Sequence, residues 1–215
     1  MKSLALAWSL LAALALATEA QTAPRTADYA LMRGSIEAAE GARVVLRTRE
    51  GDTLDVRLME DTRVFAVSGT TISDIRAGSY VGAAAVPDDT GALRALEVHV
   101  YDESLRGFAE GHRPYDLAEN STMTNATVGP DVAPSARAAQ GEADDHARRI
   151  LSLHYPGGAQ RIVVPDEAPI VRLKPADRGL IGPGAKAIVF GEKGADGAIT
   201  ARILAVGTNG LTPPM

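Results

Sequence analysis

Shifted by 106 residues, the chain falls on itself, and this self-match constrains the fold more than any single motif. Ile75-Arg-Ala-Gly78 lies on Ile181-Gly-Pro-Gly184, and Gly91-Ala-Leu93-Arg-Ala95 on Gly197-Ala-Ile199-Thr-Ala201. Val98 and Val100 lie on Leu204 and Val206, while Gly51, Val56, Leu58 and Val64 fall on Gly157, Ile162, Val164 and Ile170. No gap is needed between residues 44 and 100. A common order of glycine, apolar and turn positions over that length predicts a duplication. Ahead of it the register changes, because Met32 to Ile36 best match Met123 to Thr127 at an offset of 91. The second copy then carries about 15 extra residues, expected as an exposed loop at 129–147. Ala and Arg in that stretch favour a short helix over 135–149.

Within each copy the dominant period is two. Leu54, Val56 and Leu58 alternate with Asp55 and Arg57, which puts three apolar side chains on one strand face. Glu50-Gly51-Asp52 and Pro156-Gly157-Gly158 read as hairpin turns. Tyr80 to Val86 and Ala187 to Phe190 are apolar or small throughout, as in strands covered on both faces. Asp88 to Gly91 and Gly194 to Gly197 are turns leading to final strands near 92–101 and 198–206. Ser73 to Gly78 reads as one capped helical turn ended by glycine, and no window holds a helical pattern beyond three turns. The expected fold is all-β: two tandem small antiparallel β-barrels of the OB-like kind, since closure removes exposed sheet edges. The expected division is a first repeat at 29–101, a connector at 102–119, a second repeat at 120–207 and a tail at 208–215.

The front of the chain reads as an export signal. Lys2 precedes an apolar run from Leu4 to Leu16, followed by small residues at Ala15 to Ala17 and Thr18 to Ala20. That run is shorter than the ~20 residues needed to span a bilayer, and nothing later approaches that length. Residues 1–20 are therefore expected to be a cleaved signal peptide and 21–28 a spacer, giving a periplasmic or secreted protein without a membrane span. The chain has 215 residues, of which 46% are hydrophobic, as in globular proteins. Its net charge of −5 argues against nucleic acid as a partner, because phosphate neutralisation needs a basic surface. The complete lack of cysteine excludes disulfides, thiolate nucleophiles and zinc–thiolate sites.

Three longer patterns carry a family resemblance: Arg33-Gly-Ser-Ile36, Asp74-Ile-Arg-Ala-Gly78-Ser-Tyr-Val81, and Gly91-Ala-Leu93-Arg-Ala-Leu-Glu-Val-His99-Val100. Gly111-His-Arg-Pro-Tyr-Asp116, Ser121-Thr-Met-Thr-Asn125-Ala-Thr-Val128 and the ending Gly210-Leu-Thr-Pro-Pro-Met215 extend it. Across nearly the whole mature chain the sequence resembles an exported bacterial family of tandem small β-barrel, OB-like domains of unknown function. The resemblance implies export and the barrel fold, and brings no catalytic residues with it.

The connector holds the candidate ligand-binding residues Glu110, His112, Arg113, Tyr115 and Asp116, with Arg113 expected to pair with Asp116 or Glu110. Glu97 and His99, two apart, share one face of a strand; that face is expected in solvent, with Leu96, Val98 and Val100 inward. A nitrogen–oxygen set of Glu97, His99 and His112, widened by Glu110 and Asp116, is the alternative, a divalent metal site. A hydrolase using the carboxylates Glu110 and Asp116 is a third reading, requiring the two to converge in a cleft. Gly179 to Lys186 lacks phosphate-loop spacing, and no G-x-S-x-G elbow occurs. The leading expectation is a non-enzymatic binding module without a cofactor, its partner an envelope protein, a glycan or a small solute, working in a groove between barrels beside the connector. Protein taken from its native host should begin after Ala17 or Ala20 by intact-mass measurement, and a terminus still carrying Met1 would contradict the export reading.

Overall fold

Alternating sequence becomes strand along most of the chain in a computed structural model that describes residues 29–89, 92–130, 133–134 and 149–214. The expected signal peptide, the spacer, the helix expected from residue 135 and most of the inserted loop lie outside the described residues. The strands are β1 (Tyr29–Glu40), β2 (Arg43–Thr48), β3 (Thr53–Gly69), β4 (Tyr80–Pro87), β5 (Leu93–Tyr101), β6 (Gly111–Pro114) and β7 (Thr122–Val128). They continue as β8 (Ala133–Pro134), β9 (Arg149–Tyr155), β10 (Gly158–Val164), β11 (Ile170–Ala176), β12 (Lys186–Lys193) and β13 (Ile199–Gly207). Single 3-10 turns at Ile72–Asp74, Glu103–Leu105 and Arg178–Leu180 are the only helical geometry among the described residues. The first comes one residue earlier than the sequence pattern suggests, because Asp74 bonds back to Thr71 and Thr70. The hairpin turns fall where expected, with Gly51 and Gly157 at φ of 98° and 95°. Among the described residues no helix is long and apolar enough to cross a membrane.

Five strands close a barrel in the order β1–β2–β3–β13–β12, with β12 pairing back to β1. Its interior is built by Ile36, Val44, Leu46, Val56, Val189 and Leu204 with their neighbours. The remaining long strands form a second circuit, β7–β9–β10–β5–β4, joined more sparsely: β10 meets β5 at Ile162–Leu93 and Val163–Arg94 only. Val81, Val98, Ala126, Leu151, Leu153 and Ile162 fill it. Each circuit takes strands from both expected repeats: the barrel joins β1–β3 to β12 and β13, and the second circuit joins β4 and β5 to β7, β9 and β10. Residues 29–101 do not close on themselves, and neither do residues 120–207, so the expected division into successive barrels does not coincide with the pairing.

The reason is β3. It runs 17 residues without a turn signal, on the order of 55 Å of extended chain, too long to stay beside its own hairpin partner. Its first part pairs with β2 in the barrel; its last part, Val64 to Gly69, pairs antiparallel with β11. That ladder delivers the chain to β4 in the other circuit. A register shift between Leu58 and Arg63 lets the strand bend, and Thr62 holds the bend by accepting from the Met59 N–H and donating to the Ala201 carbonyl. The later half of the chain is interrupted at the matching place by Pro165 and Pro169, which split β10 from β11. A third apolar cluster sits on the β3–β11 ladder: Phe65, Val67, Tyr101, Leu105, Val171, Leu173, Ile188 and Ala205.

Because each circuit borrows strands, the two halves should not fold apart. Fragments 29–106 and 107–215 expressed singly are expected to melt without a cooperative transition, and to regain one when co-expressed. Cooperative melting of either fragment alone would contradict the exchanged pairing.

Candidate functional site

The side of β5 that bears Glu97 and His99 is set by a bulge. Glu97 pairs with Ala84 and Ala95 with Ala85, which leaves Leu96 outside the ladder and resets the alternation. Ala95, Val98 and Val100 consequently enter the core of the second circuit, and Glu97, His99 and Tyr101 point to the other face. That face is not in solvent, contrary to expectation: Glu97 and His99 are each 1% exposed. The cause is position. β5 lies between β4 and β10–β11, and the cluster on the β3–β11 ladder closes over its back. The His99 Nε2 atom lies 3.0 Å from Glu97 Oε1, yet poorly aligned, so both Glu97 oxygens and His99 Nε2 are buried without a hydrogen bond.

His99 and Tyr101 open onto a cavity of about 630 Å³ that draws its walls from both circuits and from residues 108–116. One wall is apolar, formed by Leu31, Phe65, Ile188, Phe190, Ile203 and Ala205. The facing wall carries His99, Tyr101, Asn125, Tyr115, Arg113 and Asp116. Ile203 and Ala205, on β13, occupy the positions that the sequence self-match pairs with Glu97 and His99, so the cavity is polar on one side and apolar on the other. Gly82 makes room for the polar wall. A Cβ there would lie 2.5 Å from Asn125 Oδ1 and 2.9 Å from the Tyr101 hydroxyl, the two atoms that meet above it at 3.3 Å. Asn125 in turn donates to the Ala109 carbonyl at 3.0 Å and fixes the connector over the cavity.

Of the connector candidates, Arg113, Tyr115 and Asp116 reach the cavity and Glu110 and His112 do not line it. The expected pairing of Arg113 with Asp116 or Glu110 is replaced. Asp116 is held by Arg33 of β1, with Nη2 to Oδ1 at 3.1 Å, and Arg113 donates to the Ala109 carbonyl at 2.8 Å. Proximity in sequence misled, because Arg33 comes from a distant strand. Loop 115–121 is closed by Ser121, which donates to the Tyr115 carbonyl and accepts from the Ala118 N–H. His112 stands opposite Thr124, whose hydroxyl is 2.8 Å from its Nδ1, and stacks on Tyr155. Thr124 and Asn125 face opposite sides of β7, so His112 is turned away from His99. Glu97 and His99 meet, His112 does not join them, and among the described residues no three His, Asp or Glu side chains gather as a metal set.

Burial pushes the phenols upward. Tyr80, which donates to the Phe108 carbonyl, rises to about 12, with Glu110 contributing after burial. Tyr101 and Tyr115 are held well above the usual phenol range, again first by burial; the Glu97 carboxylate is the second cause at Tyr115. These hydroxyls stay protonated, and those of Tyr80 and Tyr101 donate to the Phe108 carbonyl and to Asn125 Oδ1. The sequence offered no sign of Phe65, Ile188, Phe190 or Asn125 as wall residues. Gly82, a glycine inside an otherwise apolar strand, was the available sign of a close approach.

Compared with protein-family models, curated proteins and solved structures, the chain finds no match. Gly82→Ala should destabilise the protein by about 1–3 kcal/mol in a denaturant titration, since Asn125 and Tyr101 must both give way. Stability equal to that of the unchanged protein would contradict the packing described here.

Proposed function

We propose that this is an exported, non-enzymatic binding protein built from two duplicated OB-like barrels that have exchanged their last two strands, and that it takes a small amphipathic solute into the cavity between them. The observation that carries the reading is the cavity, with an apolar wall facing a polar one. Its size suits a small molecule better than a folded partner. The described lining contains no serine, threonine or lysine that His99 could activate as a nucleophile, which favours binding over covalent chemistry. Glu110 lies outside the cavity and Asp116 is tied to Arg33, so the carboxylate-hydrolase reading draws no support from their placement.

Duplication is supported by pairing details. At the middle of the β3–β11 ladder Val67 faces Leu173, two residues that the 106-residue shift places on one another. The bulge at Leu96 has its counterpart at Arg202, where Gly191 pairs with Ala201 and Phe190 with Ile203. The Gly78 N–H donates to the Val128 carbonyl, and the Gly184 N–H to the Ile36 carbonyl, both at 2.8 Å. This equates Ile36 with Val128, one residue away from the alignment read in the sequence. The strand order of the closed barrel, with a parallel β3–β13 contact, is that of an OB-like roll whose final hairpin comes from the other half. Export rests on the N-terminal sequence.

The neutral apolar dye N-phenyl-1-naphthylamine should bind the mature protein one to one with enhanced fluorescence. Ile203→Trp, which projects an indole from the apolar wall, should weaken it at least tenfold without lowering the melting temperature by more than a few degrees. Undiminished dye binding by that variant would contradict the cavity as the site.

A further inference from the structure

The charged groups at the cavity and behind its walls are unevenly engaged, and the imbalance defines the ligand's head group. Arg33 gives its two terminal nitrogens to Asp116, at 3.1 and 3.4 Å, and only its Nε is left without a bond. Arg113 is directed to the Ala109 carbonyl. Arg63 stacks over Phe108 and Phe65, 4.6 and 5.2 Å from their centroids. Arg33, Arg113 and Arg63 thus each have a partner. Glu97 differs: it is 1% exposed, and neither carboxylate oxygen receives a hydrogen bond.

A carboxylate is an acceptor only, and burying one without donors is costly. His99 lies close enough to share a proton with one oxygen but not aligned to bond it well, and it cannot serve both. Across the sheet from Glu97 the row continues through Ala84 and Met123 to Arg113, and Met123 and Arg113 line the cavity. The acidic group therefore lies behind the polar wall at a point the cavity reaches through His99. The opposite wall, with Phe65, Phe190, Ile188 and Ile203, suits an alkyl or aryl body.

We infer that the ligand is an apolar primary amine, its protonated nitrogen donating to the Glu97–His99 pair while its hydrocarbon body lies against the β12–β13 wall. This deepens the proposed function and rests on it. An ammonium meets both needs of the site: three N–H donors for acceptors that have none, and a positive charge for a buried carboxylate. The rings of Tyr101 and Tyr115, on the same wall as His99, add faces that attract a cation.

The test uses the mature full-length chain and three probes of equal length: decylamine, decanol and decanoate, each below its micelle concentration, competing with the bound naphthylamine dye. Decylamine is expected to bind at least tenfold more tightly than either of the others. Glu97→Gln, close to the native shape, should remove that preference while leaving decanol within threefold of its original affinity. Equal or tighter binding of decanol or decanoate by the unchanged protein would overturn the amine assignment and leave the cavity reading standing. An amine preference that survives in Glu97→Gln would also overturn it. Failure of all three probes, and of the dye, would remove the cavity reading together with this one. The comparison among probes on the unchanged protein decides the matter even where the variant does not fold.

Discussion

Six residue pairs between β3 and β11 hold the molecule in its present form. This antiparallel ladder sits between the two circuits, with Val67 opposite Leu173 at its middle, and its side chains build the third apolar cluster. On one side β13 runs parallel to β3; on the other, β5 runs parallel to β11. Without the ladder the barrel and the second circuit would be connected by little more than loops. With it, all strands belong to one sheet, and the stability of each circuit depends on the other. Marginal cores of this size gain most from such sharing, since the same strand buries apolar surface in two places.

The cavity is a consequence of that junction. Where two similar halves meet about a central ladder, their end strands β5 and β13 come to face a common space. Here β13 presents Ile203 and Ala205, whereas β5 presents His99 and Tyr101, with Glu97 behind them. One strand thus brings hydrocarbon to the junction and the other buried polar groups. Buried polar atoms without partners weigh against stability, and such a cost is tolerated mostly where a ligand uses it. The connector completes the enclosure, with Asn125 fastening its Ala109 carbonyl, Ser121 closing its loop and Arg33 catching Asp116.

Much of the local structure was legible in the residues. Alternation at Leu54, Val56 and Leu58 gave a strand, glycines 51 and 157 gave turns, and the small-residue run from Tyr80 gave a strand covered on both faces. The pairing was not legible, because a periodic pattern states which face is apolar and not which neighbour will cover it. Seventeen residues of β3 without a turn were the available hint that the chain leaves its own hairpin. Glu97 and His99 were misplaced for a related reason. Polar residues in alternation are assigned to water by default, and neither the bulge at Leu96 nor the covering ladder announces itself locally. Arg33, which captures Asp116, lies 83 residues from it. Contacts of that kind come from topology alone.

The most direct measurement concerns the pairing of β1 with β12, which closes the barrel and on which both the junction and the cavity depend. In β1 and β12, Ser35 and Lys186 are register partners, and the Lys186 ammonium donates to the Ser35 hydroxyl at 2.6 Å. The chain has no cysteine, so Ser35→Cys combined with Lys186→Cys introduces the only two thiols. Mild oxidation of the folded double variant should join them within one chain, seen as a faster-migrating band on a non-reducing gel that disappears with reductant. Two free thiols in folded, oxidised protein would mean that β1 and β12 belong to different barrels, and the account would be wrong.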